Sequence, residues 1–297
     1  MIDSIQRVKR NTPKGARFSI LIPTWNNLEY LQLCIRSIRE NSDHPHQIIV
    51  LVNEGSDGTV DWLRTQEDID HIHSPKNIGI CFGLNVCRGL IETNDILYLN
   101  DDMYVLPGWD TSLLEEAHRI GHRSYMLSAT MVEPHETGNA CVVVRNYGDS
   151  ISNFKEGELL NTHSELEKED WMGSTWPPNL IPLELWDLVG GMSIEFSPGM
   201  YSDPDLSRKM IEAGVRLFKG IGSSKVYHFG SKSTGRIKKN KGRDTFLLKW
   251  GVSSNHFIRA VLKRGEPYQG PLKDLELRPS LADRIKRLIA AWKNGIQ

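Results

Sequence analysis

Two adjacent carboxylates end an apolar run near the middle of the chain. Asp101 and Asp102 follow Leu97-Tyr98-Leu99-Asn100, and a Pro-Gly turn comes soon after them. The run predicts a buried strand over 96–100 that carries both carboxylates at its carboxyl end. Ligands bind at that edge of an open α/β sheet, and carboxylate oxygens suit Mg²⁺ or Mn²⁺ carrying a diphosphate. Taken alone, the same residues also fit an Asx turn that closes a strand.

A second acidic pair and a histidine occur later in the chain. Asp203 and Asp205 lie at the start of a helix predicted over 205–213, and His228 ends a short apolar run. A carboxylate can act as a general base and an imidazole can bind a metal. Two acids at a helix start also fit a cap that complements the helix dipole, and a lone histidine also fits a structural role.

Further histidines occur in pairs that could in principle bind zinc. They have no third ligand nearby in sequence, so we expect them at the surface. The pairs are His44 with His46, His71 with His73, and His118 with His122.

Strand and helix patterns alternate over the first hundred residues, which predicts a mainly parallel sheet with right-handed crossovers. The predicted strands cover 18–23, 47–52, 69–73 and 96–100, and the helices cover 28–40, the segment around 62–63, and 79–92.

The pattern becomes looser after residue 110 and predicts a mixed sheet. The polar stretch 148–180 predicts a long functional loop, because compact domains rarely keep such lengths without a purpose. The other predicted elements are helices over 111–120, 182–189 and 205–213 and strands over 125–129, 141–144, 215–218 and 225–229.

Composition limits the class of protein. The chain has 297 residues, 39% of them hydrophobic, and a formal net charge of −1. These values exclude a disordered chain, and no overall charge indicates a nucleic-acid partner. Four cysteines without close pairing favour a reducing, cytoplasmic compartment. The first residues are polar, so we expect no secretory leader. The sequence has no long apolar run, so we expect no membrane-spanning segment.

Taken in order, a series of short motifs resembles the inverting GT-A glycosyltransferases of the family 2 type over residues 17–232. The motifs are Pro23-Thr24-Trp25-Asn26, Asn53-Glu54-Gly55-Ser56-Asp57-Gly58-Thr59, Asn77-Ile78-Gly79, Asn100-Asp101-Asp102, Gly190-Gly191, Ser202-Asp203-Pro204-Asp205-Leu206 and His228. The resemblance implies an α/β fold of the Rossmann-like GT-A type. It also implies a sheet with helices on both faces, a donor carrying UDP, GDP or dTDP, and a glycan or lipid-linked hydroxyl acceptor.

The same resemblance assigns roles to individual residues. Asp203 is then the general base, with Asp205 as the helix N-cap, and Asp102 with His228 holds Mg²⁺ or Mn²⁺. The implied nucleotide-sugar contacts are Pro23, Thr24, Trp25, Asn53, Glu54, Asn77, Gly79, Asn100 and Asp101. A helix N-terminus at Asn77 and Gly79 would hold phosphate through free N–H groups.

This sequence departs from the family pattern at two places. Asn100 replaces the usual first aspartate of the metal motif, which leaves one fewer charge on the ion. Asn53 and Glu54 stand where one acidic residue usually holds the base or ribose, so either could face the nucleotide. Tryptophans at 171, 176 and 186 are candidates for stacking on sugars or for the core.

The predicted organisation is a tail over 1–16, a catalytic domain over 17–232 and an extension over 233–297. Within the domain, 17–110 is the nucleotide-binding half and 111–232 the acceptor half. In the extension, a basic linker precedes a basic amphipathic helix over 281–294. This helix either binds an anionic membrane surface or packs on the catalytic domain. Two other functions stay open, a sugar nucleotidyltransferase and a nonenzymatic carbohydrate- or nucleotide-sugar-binding protein.

Overall fold

A computed structural model describes residues 4–174, 176–230, 240–273 and 278–295. Within these residues one mixed sheet carries helices on both faces. The strands are β1 Gln6–Val8, β2 Ser19–Trp25, β3 Gln47–Asn53, β4 Ile69–Ser74, β5 Asp95–Tyr98, β6 Met103–Val105, β7 Tyr125–Glu133, β8 Val143–Val144, β9 Trp171–Met172, β10 Asn179–Pro182 and β11 Leu217–His228. The helices are α1 Leu28–Asn41, α2 Thr59–Arg64, α3 Ile80–Cys87, α4 Trp109–Ile120, α5 Glu156–Thr162, α6 Leu183–Leu188, α7 Ser202–Glu212, α8 Gly242–Trp250, α9 Ser254–His256 and α10 Leu281–Lys293.

Two apolar layers cover the two faces of the sheet. In β2, Leu21 points into one layer, while Ile20 and Ile22 point into the other. This alternation follows from the two-residue period of a strand. Helices α1 and α4 pack on the Ile20 side, and α3 and α7 pack on the Leu21 side. The prediction of helices on both faces is confirmed.

The parallel strands bring polar residues to one edge. The sheet order is β1-β4-β3-β2-β5-β10-β7-β11-β6, with β4, β3, β2 and β5 parallel. Trp25 lies opposite Asn53, which in turn lies opposite Ser74, so the carboxyl ends of three strands meet. This is the edge at which β5 leads into Asn100, Asp101 and Asp102.

The second half differs from the predicted layout. Residues 148–180 are not one long loop, because they contain α5, the short strand β9 and the start of β10. Strand β10 inserts antiparallel between β5 and β7, which explains the predicted mixed sheet. The strands expected over 215–218 and 225–229 are one strand, β11, with an irregularity between Ile221 and Lys225. In the predicted tail, β1 pairs with β4.

The described part of the C-terminal extension packs on the rest of the chain. Phe246, Val252, Phe257 and Leu262 belong to the same apolar layer as α3 and α7. Helix α10 packs on α8. The domain boundary at 232–233 stays a prediction, and the basic linker over 231–239 lies outside the described residues. No helix in the described ranges has the length and apolar character needed to cross a membrane.

Candidate active site

A cavity of about 530 Å³ opens at the carboxyl edge of the sheet. Half of the predicted site residues line it, and they come from β2, the turn after β5, the start of α7 and the end of β11. These residues are Pro23, Asn100, Asp101, Asp102, Asp203 and His228. The other six, Thr24, Trp25, Asn53, Glu54, Asn77 and Gly79, lie outside its lining. A second cavity of about 590 Å³, beside residues 164–171, is lined by none of these twelve residues, although Trp171 is part of its wall.

Asp102 and His228 meet in this cavity although 126 positions separate them in the chain. Asp102 Oδ1 lies 3.6 Å from His228 Nε2, and Glu133 Oε1 lies 2.8 Å from His228 Nδ1. All three side chains are buried. Burial lowers the pKa of His228, but the two carboxylates outweigh it and raise that pKa to about 9. The imidazole is thereby held between two acids with its ring orientation fixed.

The donor set fits a divalent ion. Two donors 3.6 Å apart can both bind one ion at bond lengths of about 2.1 Å. Glu133 occupies the place of the carboxylate that commonly orients a metal-binding histidine through its second ring nitrogen. Within the described residues, no group of three or more His, Cys, Asp or Glu side chains is arranged to hold a metal ion. An ion held by Asp102 and His228 alone would keep coordination positions open for other oxygen ligands.

Asp203 lies in the first turn of α7 and lines the same cavity. Burial raises the pKa of this carboxyl to about 7, and the charge of Arg264 acts in the opposite direction. The Arg264 guanidinium lies 3.7 Å from the centre of the Trp176 ring, and Trp176 also lines the cavity. A carboxylate with a pKa near neutrality is suited to accept a proton from a hydroxyl.

Asp205 is not the N-cap of its helix. Helix α7 begins at Ser202, so Asp205 is its fourth residue, and its side chain is fully buried. Its carboxylate accepts hydrogen bonds from Ser193 Oγ at 2.5 Å and Trp250 Nε1 at 2.8 Å, and Lys249 Nζ lies 2.9 Å away. Asp205 therefore connects the helix that carries Asp203 to α8.

The side chain of Asn53 is already used within the protein. Its Oδ1 accepts a hydrogen bond from Ile78 N–H at 2.9 Å, and Asn53 is buried. Glu54 is half-buried, and its carboxylate accepts a hydrogen bond from Asn26 Nδ2 at 3.1 Å. Of the two residues that the sequence left open, Glu54 keeps the more accessible polar group.

The N–H groups before α3 do not form an open phosphate site. Ile78 N–H donates to Asn53, Gly79 N–H to Asn77 Oδ1 and Ile80 N–H to the carbonyl of Pro198. A side chain at Gly79 would place its Cβ 2.9 Å from the Pro198 backbone, so glycine is required by close packing. The prediction that free N–H groups at this terminus hold phosphate is therefore wrong for these three.

Comparison with known proteins supports the reading of the fold. The family described as Glycosyl transferase family 2 matches residues 19–169, which is more than half of the chain. The chain belongs to glycosyl transferase family 2. Among curated proteins, no sequence matches it.

Solved structures share the GT-A fold with this family 2 protein at low identity. GalNAc-T7 with UDP, GalNAc and Mn²⁺ gives a TM-score of 0.58 at 12% identity over 83% of this chain and 50% of that chain. TarS 1-349 of S. aureus in complex with UDP-GlcNAc gives 0.55 at 14% over 93% and 80%. The mannosyltransferase PcManGT from Pyrobaculum calidifontis with GDP-Man and Mn²⁺ gives 0.51 at 13% over 82% and 63%. The chain thus spans 50% to 63% of the length of two of these proteins.

Several cavity residues of this family 2 protein were not found by sequence reasoning. Glu133 ends the apolar run of β7, which is the same signal that marked Asp102. Ser254 and Ile258 line the cavity and come from the extension. Arg264, also from the extension, is not among the lining residues but acts on Asp203 through its charge. No local pattern linked these three residues to the site. Of the tryptophans, Trp176 lines the cavity, whereas those at 171 and 186 are buried.

Two histidines expected at the surface are buried. His46 Nε2 lies 3.0 Å from Asp110 Oδ2, and its ring stacks on Phe18 at 3.8 Å. Burial lowers the pKa of both His46 and His71. Both are structural residues within the sheet and its packing, because strand pairing rather than local sequence determines their exposure.

Proposed function

We propose that the chain transfers a sugar from a nucleoside-diphosphate sugar to a hydroxyl acceptor with inversion at the anomeric carbon. One observation carries this proposal: Asp102 and His228 lie 3.6 Å apart in the same cavity as Asp203. This arrangement pairs a site for a diphosphate-bound cation with a carboxylate of raised pKa. A divalent ion bound by Asp102 and His228 would offset negative charge on the diphosphate.

Asp203 takes the proton of the acceptor hydroxyl as that oxygen attacks the anomeric carbon. The new bond joins the acceptor oxygen to the anomeric carbon, the bond to the diphosphate breaks, and its electron pair leaves with the nucleoside diphosphate. A single displacement of this kind inverts the anomeric centre. Trp176, with Arg264 covering one face of its ring, forms an aromatic wall beside the acceptor.

We assign donor binding to the sheet edge and to the turn after β5. Asp101 and Asn100 line the cavity next to Asp102, which supports them as the residues that contact the ribose or the sugar. Glu54, at the end of β3, is the better candidate for the base or ribose than Asn53. The structural neighbours include proteins with UDP, UDP-GlcNAc and GDP-Man, which makes UDP- and GDP-sugars the first donors to test.

The test is a screen of UDP-, GDP- and dTDP-sugars with Mn²⁺ or Mg²⁺ by thermal shift and transfer assay, with NMR of the product anomer. The matching donor should raise the unfolding temperature, because a ligand at 100 times its Kd stabilises the folded state by about 2.7 kcal/mol. This rise should require the metal, because the metal is proposed to bind the diphosphate of the donor. Asp102→Asn should lose this metal-dependent shift. Asp61→Asn, at an exposed surface ion pair, is the matched control and should keep it. A retained anomeric configuration in the product would contradict the proposed displacement.

A further inference from the structure

Helix α10 turns its apolar side away from the protein. Its large apolar residues recur at spacings of three and four, which places them on one face of a helix. All are exposed, at 75% for Leu281, 50% for Ile285, 73% for Leu288, 47% for Ile289 and 82% for Trp292. We define these five residues as the outer stripe.

The opposite side of α10 attaches it to the chain. Asp283 and Ala290 are its buried residues, with 1% and 3% exposure. Asp283 accepts a hydrogen bond from Ser253 N–H at 3.0 Å, and its other oxygen lies 2.5 Å from His256 Nδ1. A capping box joins Asp283 to Ser280 and fixes the start of the helix. The outer stripe is therefore held outward by a specific polar contact.

The exposed part of α10 is basic. Arg284, Lys286, Arg287 and Lys293 are all exposed, whereas Asp283, the single acid of the helix, is buried in its hydrogen bonds. Arg284 lies to one side of the outer stripe, and Lys286 and Lys293 lie to the other, as follows from 3.6 residues per turn. Long basic side chains beside an apolar stripe reach the headgroups while the stripe enters the acyl region.

We infer that α10 is a docking surface for an anionic lipid membrane. Charge decides between this occupant and a second copy of the chain. Two copies of α10 packed through their outer stripes would bring Arg284, Lys286 and Lys293 of each against those of the other, with no exposed acid on the helix to pair them. An anionic surface complements the same charges. The inference rests on α10 alone and is independent of the proposed reaction.

Co-sedimentation of the full chain with vesicles tests the inference. The protein should pellet with vesicles of phosphatidylcholine and phosphatidylglycerol and much less with phosphatidylcholine alone. Pelleting should fall when added salt shortens the Debye length from about 10 Å to about 3 Å. Replacing both Arg284 and Lys293 by Gln should weaken binding to the anionic vesicles by about 25-fold, at about fivefold for each charge.

The apolar part has its own matched control. The double variant Leu288→Ser, Trp292→Ser should weaken binding by about 100-fold or more. Leu188→Ser removes a residue that is 68% exposed on α6 and should leave binding unchanged. The side chains of Leu188, Leu288 and Trp292 are all exposed, so each variant should keep the parental unfolding temperature. That measurement shows whether the variant is folded.

Three results would overturn the inference. The parental chain could fail to pellet with anionic vesicles. The double serine variant could pellet as well as the parent. Light scattering could show that the parental chain is a dimer and that the double serine variant is a monomer. That result would assign the outer stripe to a second copy of the chain.

Discussion

The raised pKa of Asp203 predicts how transfer depends on pH. The general base must be ionised, and burial raises the pKa of this carboxyl to about 7. A group with that pKa is about 90% ionised at pH 8 and about 10% ionised at pH 6, so kcat/KM should fall about tenfold between these values. Below pH 6 it should fall by about a further tenfold for each pH unit.

Two substitutions separate this carboxyl from other titrating groups. Arg264→Gln removes the charge that lowers the pKa of Asp203, so the rising limb of the profile should move to higher pH. Asp203→Asn should abolish the limb and reduce kcat by about 100-fold or more, while metal-dependent donor binding persists.

The assay is initial-rate transfer from pH 5 to 9 at constant ionic strength, with donor affinity measured by calorimetry at each pH. Asp61→Asn is the control for a surface carboxylate and should reproduce the parental profile. A rising limb near pH 4, or a limb that Arg264→Gln leaves in place, would refute the assignment of the limb to Asp203. If Asp203→Asn transferred sugar at the parental rate, Asp203 would only stabilise the first turn of α7, and it would not be the general base.

Three further results are expected. Glu133→Gln should weaken Mn²⁺ binding by about 10- to 100-fold in an EPR titration, because His228 loses the carboxylate that orients it; unchanged affinity would contradict that role. Asp205→Ala should lower the free energy of unfolding in urea by about 3 kcal/mol, since Lys249 and Trp250 lose a buried partner; a change below about 0.5 kcal/mol would contradict the connection to α8. Asp203→Asn should have a higher unfolding temperature than the parent at pH 8, because a carboxyl whose pKa is raised in the folded state destabilises the fold when it is ionised. The difference in unfolding temperature should shrink as pH falls below 7, where Asp203 becomes protonated.

Sequence order and local pattern predicted the framework of the site. Apolar runs ending in polar residues located β2, β3 and β5, and the order of the motifs identified the GT-A fold. The same reasoning named Asp102, Asp203 and His228, and the structure places all three in one cavity. The positions of these strands were predicted correctly because a strand ends where its apolar pattern ends, and parallel strands share one edge. The roles of the three residues stay predictions.

Tertiary structure decided which neighbours these residues have. Three contacts join segments that are far apart in sequence. Strand β10 inserts between β5 and β7, Glu133 lies beside His228, and Arg264 packs on Trp176. Local pattern carries no information on such contacts, because many pairings satisfy the same apolar periodicity.

Helix α10 shows the division most clearly. Its sequence alone determined that one face is apolar and that basic residues lie beside that face. An apolar stripe would ordinarily be buried, yet the structure turns it outward. The reason is that Asp283, on the opposite side, reaches His256 and the Ser253 N–H, and these hydrogen bonds exist only once α9 has folded beside it.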